Sequence, residues 1–322
     1  MRGRGTGPAR LRQRGVAVIT ALLLTTLAVT IVASLFWQQQ VQVRSMENQR
    51  LHQQTKWILL GAIDLARFWL RQDVDPFTRL DGIWAKPIEE TSLDQFVERE
   101  RVEGETFAAT LSGQVTDAQG RFNLTNLAKD RVVDESQLKA FRRLLVNLQL
   151  DPALAQPVAD AILATQRAAL ENDKTAAPAQ ASSGAEPMDF SQVEDVLSVP
   201  GWTPPMLERL REFVIVLPES STLNINTAPA EVLAAAVDFS VAEAAALVAN
   251  RLRKPFSTTA DFDNAVQGRD RVLDPNKQVG MKSNYFLVAS RIRLDRAALD
   301  TQALLWRQDR NKTMTLVWIR EN

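Results

Sequence analysis

Arg12-Gln13-Arg14-Gly15, followed by VAVITALLLTTLAVTIVASLFW from Val16 to Trp37, is the stretch on which the fold turns. Val16–Trp37 holds no charged residue, and at 1.5 Å rise per residue it reaches about 33 Å, enough to cross a bilayer's hydrocarbon core. Arg2, Arg4, Arg10, Arg12 and Arg14 precede it, and no acidic residue occurs before Glu47. Positive charge on the N-terminal side places the N-terminus in the cytoplasm and the rest of the chain across the membrane.

Three readings of this start compete. A secretory signal has a shorter apolar run and a small-x-small cleavage site, whereas Gln38-Gln39-Gln40 follows here. A permanent single-pass anchor fits the length. A prepilin-type leader is short and basic, ends in glycine, and is cut on the cytoplasmic side so that the apolar helix stays. The basic-Gly15-Val16 junction favours the third, with Gly15 the last leader residue and Val16 the first mature one. Glycine resists helix and suits a peptidase site where the helix begins.

The helix continues past the membrane. Val41, Leu51, Ile58, Leu59, Ala62, Ile63, Ala66 and Leu70 fall at amphipathic spacings, and no proline occurs between Pro8 and Pro76. This resembles the plan of pilins and pseudopilins, in which a leader is followed by one long helix. That family usually carries a glutamate at the fifth mature position, thought to meet the terminal amine of the subunit above. Here the position is Thr20. A threonine is cheap in lipid because its hydroxyl bonds back to its own helix. It cannot neutralise an amine, as expected of a subunit with nothing above it.

The whole chain is 45% hydrophobic and 24% charged, enough for one or two real cores. Net charge is zero, which offers nothing to nucleic acid or anionic lipid. There is no cysteine, so stability rests on packing. Asp73–Pro87 reads as loop with Trp84 docking on the helix. Thr106–Val115 alternates as a half-buried strand, and Arg121–Leu124 reads as a second. Helices follow: one capped by Asp134 to about Leu150, one near Pro157–Leu170, short ones at Phe190–Leu197 and Pro205–Val214, one started by Thr227 with Pro229 in its first turn, then 241–253 and Ala260–Val266. The segment 172–188 reads as a disordered loop. Period two returns in Tyr285–Leu294, Ala297–Arg307 and Lys312–Arg320, three antiparallel strands. One sheet interrupted by helices is the reading, with two tandem domains as the alternative.

No constellation for catalysis is present. The single histidine, His52, sits on the long helix among glutamines and reads as a solvated or interface residue. There is no thiol, phosphate loop or nucleophile elbow, so the chain reads as no enzyme. Asp261-Phe262-Asp263-Asn264 is oxygen-rich but lacks the spacing and glycine of a calcium loop, and reads as a helix cap. Asn224–Val266 resembles a helix-hairpin-helix module. Its turn holds Asp238-Phe239-Ser240 where such modules present glycine N–H groups to phosphate, which points to protein contact and no nucleic acid.

With the junction at Gly15, Thr20, GRFNLTNL at 120–127, LNINTAP at 223–229 and the start of the last strands at Ser283-Asn284-Tyr285-Phe286, the chain resembles the K-type minor pseudopilins of type II secretion systems (the general secretion pathway protein K family). The resemblance implies an α+β fold: a pilin-like long N-terminal helix on a small antiparallel sheet, with a large all-helical domain inserted in the sheet. It divides the chain into a cleaved leader 1–15, the helix 16–72, a first β part 73–128, a helical insertion 129–280 and a second β part 281–322. It implies cleavage by prepilin peptidase between Gly15 and Val16, N-methylation of Val16, no cofactor, and I-type and J-type minor pseudopilins as partners at the pseudopilus tip. Secreted substrate and the outer-membrane channel are further contacts it suggests. Calcium would belong near 172–188, where the expected aromatic and proline-rich pattern is missing. The competing reading is a single-pass membrane protein whose periplasmic helix-hairpin-helix domain receives DNA during uptake.

Overall fold

A computed structural model describes residues 13–93, 109–130, 132–172, 190–294, 297–308 and 313–321; the side chains of 13–15 and 166–172 lie outside that description, as do residues 1–12. The chain forms two units, residues 1–58 and 59–322. The first helix, α1, is Gln13–Gln72. Gly15 is helical within it. From Val16 onward α1 is long and apolar enough to cross a membrane.

In the unit 1–58, the apolar side chains from Val16 to Trp37 are exposed. The hydroxyls of Thr20, Thr25, Thr26 and Thr30 each donate to a carbonyl three or four residues earlier. Every described threonine of the apolar stretch is thus satisfied by its own helix, the arrangement lipid demands.

In the unit 59–322, the last turns of α1 bury Leu59, Ile63, Ala66 and Leu70. Strands β1 (Ile88–Ser92) and β2 (Ala109–Asp117) come next. The chain then leaves the sheet. It passes through the short pieces β3 (Phe122–Asn123), β4 (Ala128–Lys129) and β5 (Val132–Val133). Helices α2 (Glu135–Asn147), α3 (Ala155–Asn172) and α4 (Pro204–Leu210) lead to β6 (Val214–Ile215) and β7 (Leu223–Asn224). Helices α5 (Ala230–Ala236), α6 (Val241–Arg253) and α7 (Thr259–Ala265) and strand β8 (Val279–Gly280) close the insertion. The sheet is completed by β9 (Tyr285–Leu294), β10 (Ala297–Arg307) and β11 (Met314–Glu321).

The five-stranded sheet has the order β1-β2-β9-β10-β11, antiparallel throughout. Val115 opposes Val288, which opposes Ala303 on the other side. Ala62, Ala66 and Trp69 of α1 face β2 and β9 across a small crevice. Trp84 is buried and meets Phe286 of the sheet edge-on at 5.3 Å.

Four readings need correction. Arg121–Leu124 does not join the main sheet: only Phe122–Asn123 is extended, and it pairs in parallel with Val214–Ile215. Phe122, Leu124, Leu127 and Ala128 belong to the helical core, so the insertion starts directly after Asp117 and not at Lys129. The expected helix at Phe190–Leu197 is a 3-10 turn, Val193–Ser198. Thr227 does not cap α5, whose N-cap is Pro229. The stretch 173–189 lies outside the described residues.

The helical body has its own core. Phe122 stacks on Phe141 at 5.5 Å, with Leu138, Leu144, Leu145, Val158 and Leu233 around them. Asp134 caps α2 as predicted, accepting from the N–H groups of Ser136 and Gln137. Such a cap stabilises by about 0.5–2 kcal/mol.

Candidate functional site

Two places hold groups that the sequence singles out. The first is the N-terminal part of the described α1, where Gly15 and Val16 are helical and Thr20 follows one turn on. The Thr20 hydroxyl donates to the carbonyls of Val16 and Ala17, both at 3.0 Å. It is committed to its own backbone and presents no charge to a neighbour.

The second is a buried polar junction where the helical body meets the sheet. Asp117 ends β2, Asn224 and Thr227 come from the LNINTAP motif, and Ser283 stands just before β9. Asp117 Oδ2 accepts from Ser283 Oγ at 2.6 Å, Thr227 Oγ1 at 2.6 Å and Asn224 Nδ2 at 2.8 Å, while Oδ1 accepts from Gln119 N at 2.8 Å. Burial raises the Asp117 pKa above the usual carboxylate value, and the four hydrogen bonds act against that rise. Arg307 closes the junction from β10. Its guanidinium lies 5.0 Å from the Phe286 ring centre, donates to Ser283 O at 2.6 Å and pairs with Asp73 at 3.4 Å. Its side chain is only 6% exposed, so this pair is screened little by solvent.

The two asparagine-rich motifs meet around this junction. Asn123 Oδ1 accepts from Leu217 N, and Asn126 exchanges two bonds with the Ser221 backbone. Gly120 explains the first residue of its motif. A Cβ there would stand 2.8 Å from Thr227 Oγ1 and 3.1 Å from its carbonyl, so only glycine lets the segments approach. Sequence reading marked both motifs and the Ser283 segment but gave no role to Asp117 or Arg307, which sit at strand ends and carry no local pattern.

The remaining candidates resolve into structural parts. Asp238, in the helix-hairpin-helix turn, pairs with Arg143 at 2.6 Å. Phe239 lies under the Arg269 guanidinium at 5.6 Å, and Ser240 caps α6. The turn therefore presents an ion pair and an aromatic ring where phosphate would need free N–H groups. Asp261 forms a capping box with Thr258, which holds its pKa below the usual carboxylate value. Asp263 pairs with Arg271 at 3.1 Å. His52 is exposed on α1.

Comparison with known proteins agrees with this architecture. Two family models described as type II secretion system (T2SS), protein K match residues 120–219 and 223–280, which together span most of the helical insertion. The type II secretion system protein K of Pseudomonas aeruginosa is 31% identical over 306 residues, covering 88% of this chain and 86% of that one. The protein K of Pectobacterium carotovorum is 26% identical over 326 residues, covering 92% and 93%. A chain of the crystal structure of the GspK-GspI-GspJ complex from the enterotoxigenic Escherichia coli type 2 secretion system shares the fold, with TM-score 0.67, 18% identity, and coverage of 86% of this chain and 99% of that one. A pilin-like helix on an antiparallel sheet, interrupted by a helical body that carries both family matches, places this chain in the type II secretion system protein K family, the K-type minor pseudopilins.

Proposed function

We propose that this chain caps the tip of the type II secretion pseudopilus, assembling with I-type and J-type minor pseudopilins to start the filament and support secretion across the outer membrane. Prepilin peptidase cuts between Gly15 and Val16, and the new Val16 amine is N-methylated. The N-terminus begins in the cytoplasm, and the body stands in the periplasm on a single membrane pass. Thr20 carries the reading: its hydroxyl is spent on Val16 and Ala17, so it offers no carboxylate to a subunit above. The bulky insertion between β2 and β9 supports the same end of the filament. The three-protein complex that holds the similar fold supports the choice of partners.

Much of the apolar stripe of α1 is already covered. Leu59, Ile63 and Leu70 are buried in the protein's own body. Within the unit 59–322, α1 leaves Leu65 and Phe68, the latter 50% exposed, on its surface. The absence of native cysteine makes disulfide crosslinking clean. A cysteine at Phe68 should link to I- or J-type partners, and one at the exposed Leu197 on the insertion should link to those partners or to none. Abundant links from Leu197 to the major pseudopilin along the shaft would sink the tip reading. Mass spectrometry of membrane-extracted protein tests processing: residues 1–15 should be absent, and Gly15→Leu should leave them attached.

A further inference from the structure

One face of the sheet lies under α1, and the helical body covers the other face only in part. There Tyr285, Leu287 and Leu304 meet Ile215 and Leu217 of the body. Beside this contact the two part to leave a groove of about 670 Å³, within the range of ligand-binding clefts. Its apolar floor is formed by Val216 from the body and Leu287 and Trp318 from the sheet. Its rim carries Arg121, Arg211 and Arg320, from three separate segments, against Glu194 and Glu321.

The three arginines differ in what holds them. Arg211 pairs with Glu194 at 3.3 Å and Glu208 at 3.2 Å. Arg320 lies 4.0 Å over the Trp318 ring and donates to Ser191 O at 2.6 Å. The Arg121 side chain makes no hydrogen bond or ion pair among the described residues, and Glu212 acts on it only through space. Burial pushes its pKa down, so the cation is short of solvation. A half-buried guanidinium has donors in a rigid fork that matches a carboxylate. Two short extended segments, at Val214–Val216 and β11, flank it. An extended chain alternating acidic and apolar residues would set one side chain on the arginines and the next on the floor.

We infer that this groove docks an extended acidic segment of a partner protein, with a carboxylate on Arg121 and an apolar neighbour against Trp318. The probe is a fluorescein-labelled heptapeptide alternating glutamate and valine, titrated into full-length protein in neutral detergent and read by anisotropy. It should bind saturably, and its lysine-valine counterpart should not. Arg121→Gln should weaken binding roughly tenfold, the scale of one charge-assisted hydrogen bond. Arg121→Lys should recover part of the loss, and Arg253→Gln, an exposed cation outside the groove, should change nothing. Absence of saturable binding, unchanged binding by Arg121→Gln, or an equal loss with Arg253→Gln overturns the inference. Should circular dichroism show Arg121→Gln to be unfolded, Arg320→Gln and Trp318→Ala decide: both must weaken the glutamate peptide, and unchanged binding in either counts against the groove.

Discussion

Thr20, exposed on the apolar stretch of α1, and Asp117, buried inside the body, are both polar groups bonded within the chain, and the chain satisfies them in opposite ways. Thr20 is served by carbonyls three and four residues away. Asp117 is served by Gln119 beside it and by Asn224, Thr227 and Ser283, the last 166 residues away. Local satisfaction asks nothing of the rest of the molecule, so the apolar helix stays free to meet other helices. Distant satisfaction fastens segments together, because no donor can leave without orphaning a buried acceptor.

The sharpest break of this contrast is Asp117→Ala. It strips four donors of one acceptor inside the junction and should cost about 3–5 kcal/mol, read as a fall in the urea midpoint of the solubilised protein. Asn224→Ala should cost less, about 1–3 kcal/mol, since it removes bonds to Asp117 and Ser283 but leaves the carboxylate with three other donors. A cost below that of an exposed substitution at either site would mean that the junction does not hold the body on the sheet.

The pH dependence refines the comparison. Burial raises the native Asp117 pKa above 3.8. As pH rises from about 4 through the raised native value, the folded state binds more protons than the unfolded one, so stability falls. The advantage of the wild type over Asp117→Asn should therefore shrink as pH is raised toward neutral. An advantage that grows instead would show that the four hydrogen bonds outweigh burial. The smallest effect belongs to Thr20. Its carbonyl acceptors lie within the helix, so Thr20→Val should change stability by less than about 0.5 kcal/mol. Thr20→Glu should leave the crosslinks to I- and J-type partners unchanged, and loss of them would show that this position is read by a neighbour.

The same contrast explains what could be read in advance. Wherever one local pattern decides an element, the sequence suffices. The second half of Tyr285–Leu294 alternates because successive strand residues face opposite sides, and Asp134 precedes a run with helical spacing. Wherever a residue's role depends on a distant partner, it does not. Thr227 before Ala228-Pro229 has the chemistry of an N-cap, yet its hydroxyl goes to Asp117. Leu59, Ile63 and Leu70 define a face of α1, but periodicity cannot say whether the chain itself or another subunit covers it. Strand β1, Ile88–Ser92, sits at the sheet edge and is mostly exposed, so it leaves no apolar alternation to find.

The sheet order also sets a schedule. Strand β9 is the middle of five strands, yet it follows the whole helical insertion in the chain. Until it arrives, β2 has only the short and bulged β1 to pair with. The helical core can collapse from contacts already made, while the sheet must wait for a loop closure spanning that insertion, and such long-range pairings form slowly. A chain emerging N-terminus first thus finishes the body before the platform that carries it. Residues 285–321 complete the sheet: without them the helical body has no platform to stand on.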